Sequence, residues 1–205
     1  MLLIEMHAHT TEHSTCSHVG ALDLIRLIHA KGFQGLVFTD HHYLWQPEEI
    51  WEIRRKSGVP ESFLVFPAQE VRTRDMGDVL VYGADRSLSP GSSLPEIRAH
   101  YPEAALVLAH PYRNGGNPAP DNLLSPLIDA VEIFNSNHTA SENSRGLKDW
   151  RLHKFTAIGG TDTHGGSYAG TYPTVFEHPV ESMSALAQAV KKGRCRPFLK
   201  NLPKC

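Results

Sequence analysis

Long apolar runs, cysteine, a surplus of either charge and internal repeats are all scarce or missing in this chain of 205 residues. No apolar stretch approaches the roughly 20 residues of a membrane span, so no membrane-crossing helix is expected. Cys16, Cys195 and Cys205 are the three cysteines. They form no CxxC pair and make an odd count, so a disulfide framework is not expected and a reduced, cytoplasmic setting is. The first residues lack a basic stretch, an apolar segment and a small-residue cleavage site, so no secretory signal is expected either. Twenty Lys and Arg stand against 22 Asp and Glu, for a formal net charge of −2. The basic footprint of a nucleic-acid or membrane-surface binder is therefore missing. Nucleic acid enters only as a nucleotide or oligonucleotide substrate, and no sequence feature sets an oligomeric state.

One residue is plentiful. The chain holds 13 histidines while its hydrophobic fraction, 40%, is ordinary. Apolar, β-prone runs at 2–6, 35–39, 63–66, 79–82, 105–109, 130–134 and 156–159 read as strands. Helical patterns fall at 21–31, 48–56, 94–100, 141–150 and 182–192, with Gly32 and Gly193 closing the first and last. Strand–helix alternation predicts an α/β fold with a mainly parallel sheet, as an irregular barrel or an open sheet, in a single domain over 1–205.

The histidines and acids cluster just after these strands: His7 and His9, then Asp40, His41 and His42, then Glu70. His110, the stretch from Asn135 to His138, and finally Asp162 with His164 continue the series. Carboxyl ends of parallel strands are where α/β proteins build their sites. Side chains at i and i+2 of a strand face one way, so His7 and His9 are able to share an ion, and Asp162 and His164 repeat the device. Mixed imidazole and carboxylate suits zinc, manganese or iron, and the number of donors predicts two or three ions. Taken singly, each residue has a plainer reading: Asp40 as a cap, His41 or His42 as surface residues, Glu70 as an exposed strand-end acid. Ligand types at five strand ends together favour the metal reading.

The ordered set His7-x-His9, Thr39-Asp40-His41, Glu70, Ala109-His110-Pro111 and Gly160-Thr-Asp-Thr-His164 resembles the polymerase and histidinol phosphatase (PHP) superfamily, across nearly the whole chain. The resemblance implies a distorted seven-stranded β/α barrel, (β/α)7, whose di- or trinuclear centre hydrolyses phosphate esters. It implies that His7, His9, Glu70 and Asp162 bind one ion, with Glu70 bridging to a second ion that includes His110. His41 and His164 would serve a third. Two stretches depart from the family pattern. After H-x-H the chain reads TTEHSTCSH, leaving Glu12, His13, Cys16 and His18 as alternatives at the third ion. Gly77-Asp78 stands where relatives often have Gly-His, making Asp78 and His138 candidates at the second.

For the chemistry, Arg113 is the first choice as a phosphate clamp, since a guanidinium fork matches phosphate oxygens, with Arg72 and Arg145 behind it. Asp40, His42 and His164 are the candidate acid–base groups. The expected partner is a small phosphorylated substrate. Two other readings stand beside this one. Amidohydrolases also open with H-x-H, but their bridging lysine has no counterpart here, because no lysine occurs between Lys56 and Lys148. A non-catalytic, metal-stabilised PHP module is the other reading.

Overall fold

The computed structural model describes residues 1–198; Cys205 lies outside them. Three parallel strands form early: Leu2–Glu5 (β1), Gly35–Phe38 (β2) and Leu64–Pro67 (β3), with Ile4 opposite Gly35 and Leu36 opposite Val65. Thr174–Phe176 (β9) runs antiparallel to β1, and Cys195–Pro197 (β10) runs antiparallel to β9. This sheet has the order β10-β9-β1-β2-β3. A second sheet contains Gln69–Thr73 (β4), Gly77–Tyr82 (β5), Ala105–Leu108 (β6), Ala130–Phe134 (β7) and Ala157–Gly159 (β8), in chain order. Its pairs β4–β5 and β5–β6 are antiparallel, while β6–β7 and β7–β8 are parallel.

Helices Ala21–Ala30 (α1), Pro47–Ser57 (α2), Leu94–His100 (α3), Pro120–Leu123 (α4), Ala140–His153 (α5) and Met183–Lys191 (α6) connect or follow the strands. Their starts are chemically marked. Ser93 with Glu96, and Thr139 with Glu142, form reciprocal capping boxes at α3 and α5. Burial explains the layers. Ile4, Val37, Phe66, Leu80, Val107 and Ile158, from both sheets, meet in one core that also takes Leu186 and Val190 of α6. Leu24, Ile25 and Ile28 of α1 cover the first sheet, and Leu94 and Ile97 of α3 cover the second. Gly146 of α5 sits against β7, where a Cβ would fall 2.7 Å from the Ile133 carbonyl oxygen.

The mixed α/β fold agrees with the expectation, and seven of the ten strands lie where the apolar runs placed them. Strands β4, β9 and β10 were not anticipated. Glu70 follows β3 as expected but lies inside β4, and Asp78 is inside β5. The strand ladders form two sheets. Single parallel bridges, Ala8 to Thr163 and His41 to Glu70, join them just past the ends of β1, β2 and β8. Among the described residues no helix is long and apolar enough to cross a membrane, and Cys16 and Cys195 are free thiols.

Candidate metal centre

Those bridges gather the ligand-type residues. His7 and His9 extend β1, where they alternate with buried Met6 and Ala8. Their Nε2 atoms stand 3.1 Å apart. Glu70 Oε2 lies 3.4 Å from His7 Nε2 and 3.2 Å from His9 Nε2. Asp162 Oδ1 lies 3.4 Å and 3.1 Å from the same two atoms. All four side chains are buried. Glu70 Oε2 and Asp162 Oδ1 are nonetheless without a hydrogen-bond partner, a costly state for buried carboxylate oxygens. Ligands about 2.0–2.2 Å from a tetrahedral ion stand roughly 3.4 Å from one another. The observed spacings and the two orphaned oxygens therefore fit a divalent cation.

Two further groups share members with this one: His9, His41 and His164, and Glu70, Asp78 and His110, each with ligand atoms within 4.8 Å of one another. Glu70 is common to the first and third groups, with Oε1 at 2.8 Å from His110 Nε2 and Oε2 in the four-residue set. Backbone conformation is unusual at these points. Asp162 (φ 53°), His110 (φ 31°) and His42 (φ 55°) adopt the left-handed region, a local strain that clusters at functional sites.

The electrostatics are strongly coupled. Burial works against the His7 charge, but Glu132, Asp162 and Glu70 outweigh it and hold His7 well above its ordinary pKa. Burial alone would raise Glu70; the His7 charge and the close imidazoles of His110 and His41 hold it well below the usual carboxylate range. Asp162 is likewise driven down, against burial, by His7 and His9. His164 is lowered by burial and by the His9 charge.

Several expected site residues sit elsewhere. Asp40 accepts from Thr10 N (2.7 Å), Thr10 Oγ1 (2.8 Å), Ser14 Oγ (2.6 Å) and Trp45 Nε1 (2.7 Å). Its oxygens are occupied, so it braces the loops and has no free oxygen for proton transfer. His42 Nδ1 faces the Leu88 carbonyl at 3.2 Å, and burial lowers its pKa. His138 is buried against Asn143 and joins none of the three groups. Arg145 donates to the Gly116 carbonyl at 2.6 Å and is tied to that loop. Arg72 forks onto Asp78 at 2.9 and 3.0 Å from an exposed position. Arg113 reaches Asp162 Oδ2 at 3.1 Å and Asp78 Oδ2 at 3.7 Å, with a third of its side chain exposed. None of the four third-ion alternatives enters a group. Glu12 accepts from the Ala21 amide at the start of α1, and His13 stacks on Tyr43. Cys16 and His18 are exposed.

Sequence reasoning missed Glu132. This acid lies within the fully buried run Ala130–Phe134 and contacts His7 Nδ1 at 3.0 Å. A charged residue inside an otherwise apolar strand was the available signal. Glu5, in Leu-Leu-Ile-Glu, is similar. It is fully buried, accepts from the amides of His7 (3.1 Å) and Thr161 (2.8 Å), and burial pushes its pKa up to about 7.

No protein-family model matches the chain, and no curated protein matches it in sequence. Solved structures do share its fold. PsfC from Pseudomonas syringae superimposes with a TM-score of 0.72 at 14% identity, over 97% of this chain and 91% of that one. A candidate metal-dependent phosphoesterase from Bifidobacterium adolescentis gives 0.58 at 15% identity, over 80% and 88%. An amidohydrolase from Chromobacterium violaceum, with bound sulfate and no metal, gives 0.57 at 12% identity, over 82% and 89%. At these identities the likeness is one of fold.

Proposed function

We propose that this chain is a metal-dependent hydrolase of phosphate esters, acting on a small phosphorylated substrate with two or three zinc, manganese or iron ions. The observation that carries the reading is the set of four buried ligand atoms on His7, His9, Glu70 and Asp162, two of them orphaned oxygens. The two sheets are read as halves of one distorted β/α barrel, supported by the two bridges at their rim. When bound, divalent ions supply Lewis acidity and a water of lowered pKa.

The chain's own residues do the rest. Glu70 presents one oxygen to each of two ligand groups and would hold an ion in both. Arg113, beside Asp162 and a third open to solvent, binds phosphate oxygens and neutralises charge gathering there. His41 and His164 line the exposed side of the His9 group. Fold similarity extends to proteins named for phosphoester and for amide chemistry alike. A glutamate between two ligand groups, with no lysine among those ligands, favours the phosphoester reading.

The test is a panel of phosphorylated metabolites assayed with manganese, zinc and iron, with elemental analysis of the same preparations. Turnover that disappears in His9→Ala and Asp162→Ala, while far-ultraviolet circular dichroism is kept, is the expected outcome. Bound metal without turnover on any phosphoester points to a non-catalytic module. Full activity in both variants refutes the site.

A further inference from the structure

Glu132 is buried at the centre of β7, and both its oxygens are engaged by donors from two different ligand groups. Oε1 takes the His7 Nδ1 contact at 3.0 Å. Oε2 accepts from the His110 backbone amide at 2.8 Å and from Asn135 Nδ2 at 3.0 Å. His7 belongs to the four-residue group, and His110 to the group with Glu70 and Asp78. The space for this arrangement depends on Gly160, where a Cβ would lie 2.1 Å from Glu132 Oε1 and 2.7 Å from the His7 Cβ.

We propose that Glu132 is a positioning residue that couples the two ligand groups, one carboxylate fixing the His7 ring and the His110 backbone together. The inference rests on the metal-centre reading above. With its Nδ1 proton held by Glu132, His7 presents the Nε2 lone pair to the group containing His9, Glu70 and Asp162. This is the outer-shell carboxylate–histidine arrangement that orients a ligand and raises its basicity. The second oxygen holds the chain at His110, a left-handed residue just past β6. A glutamine of the same shape cannot replace it. Three N–H donors converge on the carboxylate, and an amide turns one of its two acceptor atoms into a further donor.

The experiment is a chelator-competition titration of full-length protein with zinc and with manganese, comparing wild type and Glu132→Gln. The unfolding midpoint of the metal-free proteins is measured alongside. Wild type is expected to bind at least two ions, and Glu132→Gln to bind both roughly 10–100-fold more weakly. Unchanged affinities, or weakening of one ion alone, overturn the coupling even if the variant is less stable, because a merely structural role moves only the unfolding midpoint. A wild type that binds a single ion overturns the coupling but keeps the first site. A wild type that binds none overturns both. If Glu132→Gln does not fold, Asn135→Ala decides. It keeps the carboxylate but removes the Asn135 Nδ2 donor to it, along with the Oδ1 acceptor of the Asn137 amide beside Asp162. It is expected to weaken both ions about fivefold; unchanged affinity, or weakening of the Asp162 ion alone, overturns the proposal.

Discussion

Chelation should destabilise this protein by an amount set by the ligand groups. Without a cation, Glu70 Oε2 and Asp162 Oδ1 remain buried and unpartnered, beside two imidazole nitrogens 3.1 Å apart. A cation that binds only the folded chain stabilises it by mass action, about 2.7 kcal/mol when free ion exceeds its dissociation constant a hundredfold. For a chain of 205 residues, each kcal/mol moves the melting temperature by about 2–4 °C. Zinc or manganese added to EDTA-treated, dialysed protein should therefore raise the midpoint by roughly 5–11 °C in a calorimetric or fluorescence melt. The same addition to a His9→Ala, Asp162→Ala double variant, which keeps only the Glu70, Asp78 and His110 group intact, should produce a clearly smaller shift. A wild-type shift below about 1 °C, or an equal shift in the double variant, refutes the reasoning, because the orphaned oxygens would then not be what the ion satisfies.

Three other substitutions probe separate parts of the account. Gly160→Ala places a Cβ 2.1 Å from Glu132 Oε1; overpacking of this kind costs about 1–3 kcal/mol, and a urea melt should show that loss together with weaker metal binding. Arg113→Ala removes a charged donor from the exposed side of Asp162. It should lower kcat/KM for the best phosphoester by roughly 10–100-fold without changing metal content. Asp40→Asn turns an acceptor facing four donors into a mixed group. It should cost about 1–3 kcal/mol in a denaturant melt and leave turnover per folded molecule largely intact, whereas complete loss of turnover at full stability would restore Asp40 as an acid–base group.

Much of this architecture can be read from residue order, for identifiable reasons. Continuous apolar runs such as Ala105–Leu108 and Ala130–Phe134 are buried throughout and advertise themselves. Candidate ligands that follow such runs, among them His7, His9, His110 and Asp162, were legible because chemistry-bearing residues stand out at a strand end. Strand β4 was not, because Gln69, Glu70 and Arg72 interrupt its apolar character. Glu70 and Arg72 share one face of β4, yet Glu70 is buried and Arg72 exposed, and only tertiary context decides that. Strands β9 and β10 have three residues each, and their register comes from β1 for β9 and from β9 for β10 rather than from their own pattern. Asp40 reads as chemical in the sequence because an acid beside histidines resembles a ligand. Its four donors come from Thr10, Ser14 and Trp45, partners that no spacing rule connects.

The most direct measurement is anomalous diffraction from crystals grown with zinc. The account predicts a strong peak about 2.0–2.2 Å from His7 Nε2, His9 Nε2, Glu70 Oε2 and Asp162 Oδ1. A second peak is predicted between Glu70 Oε1 and His110 Nε2. Zinc bound only elsewhere, or no peak within the four-residue group, contradicts it.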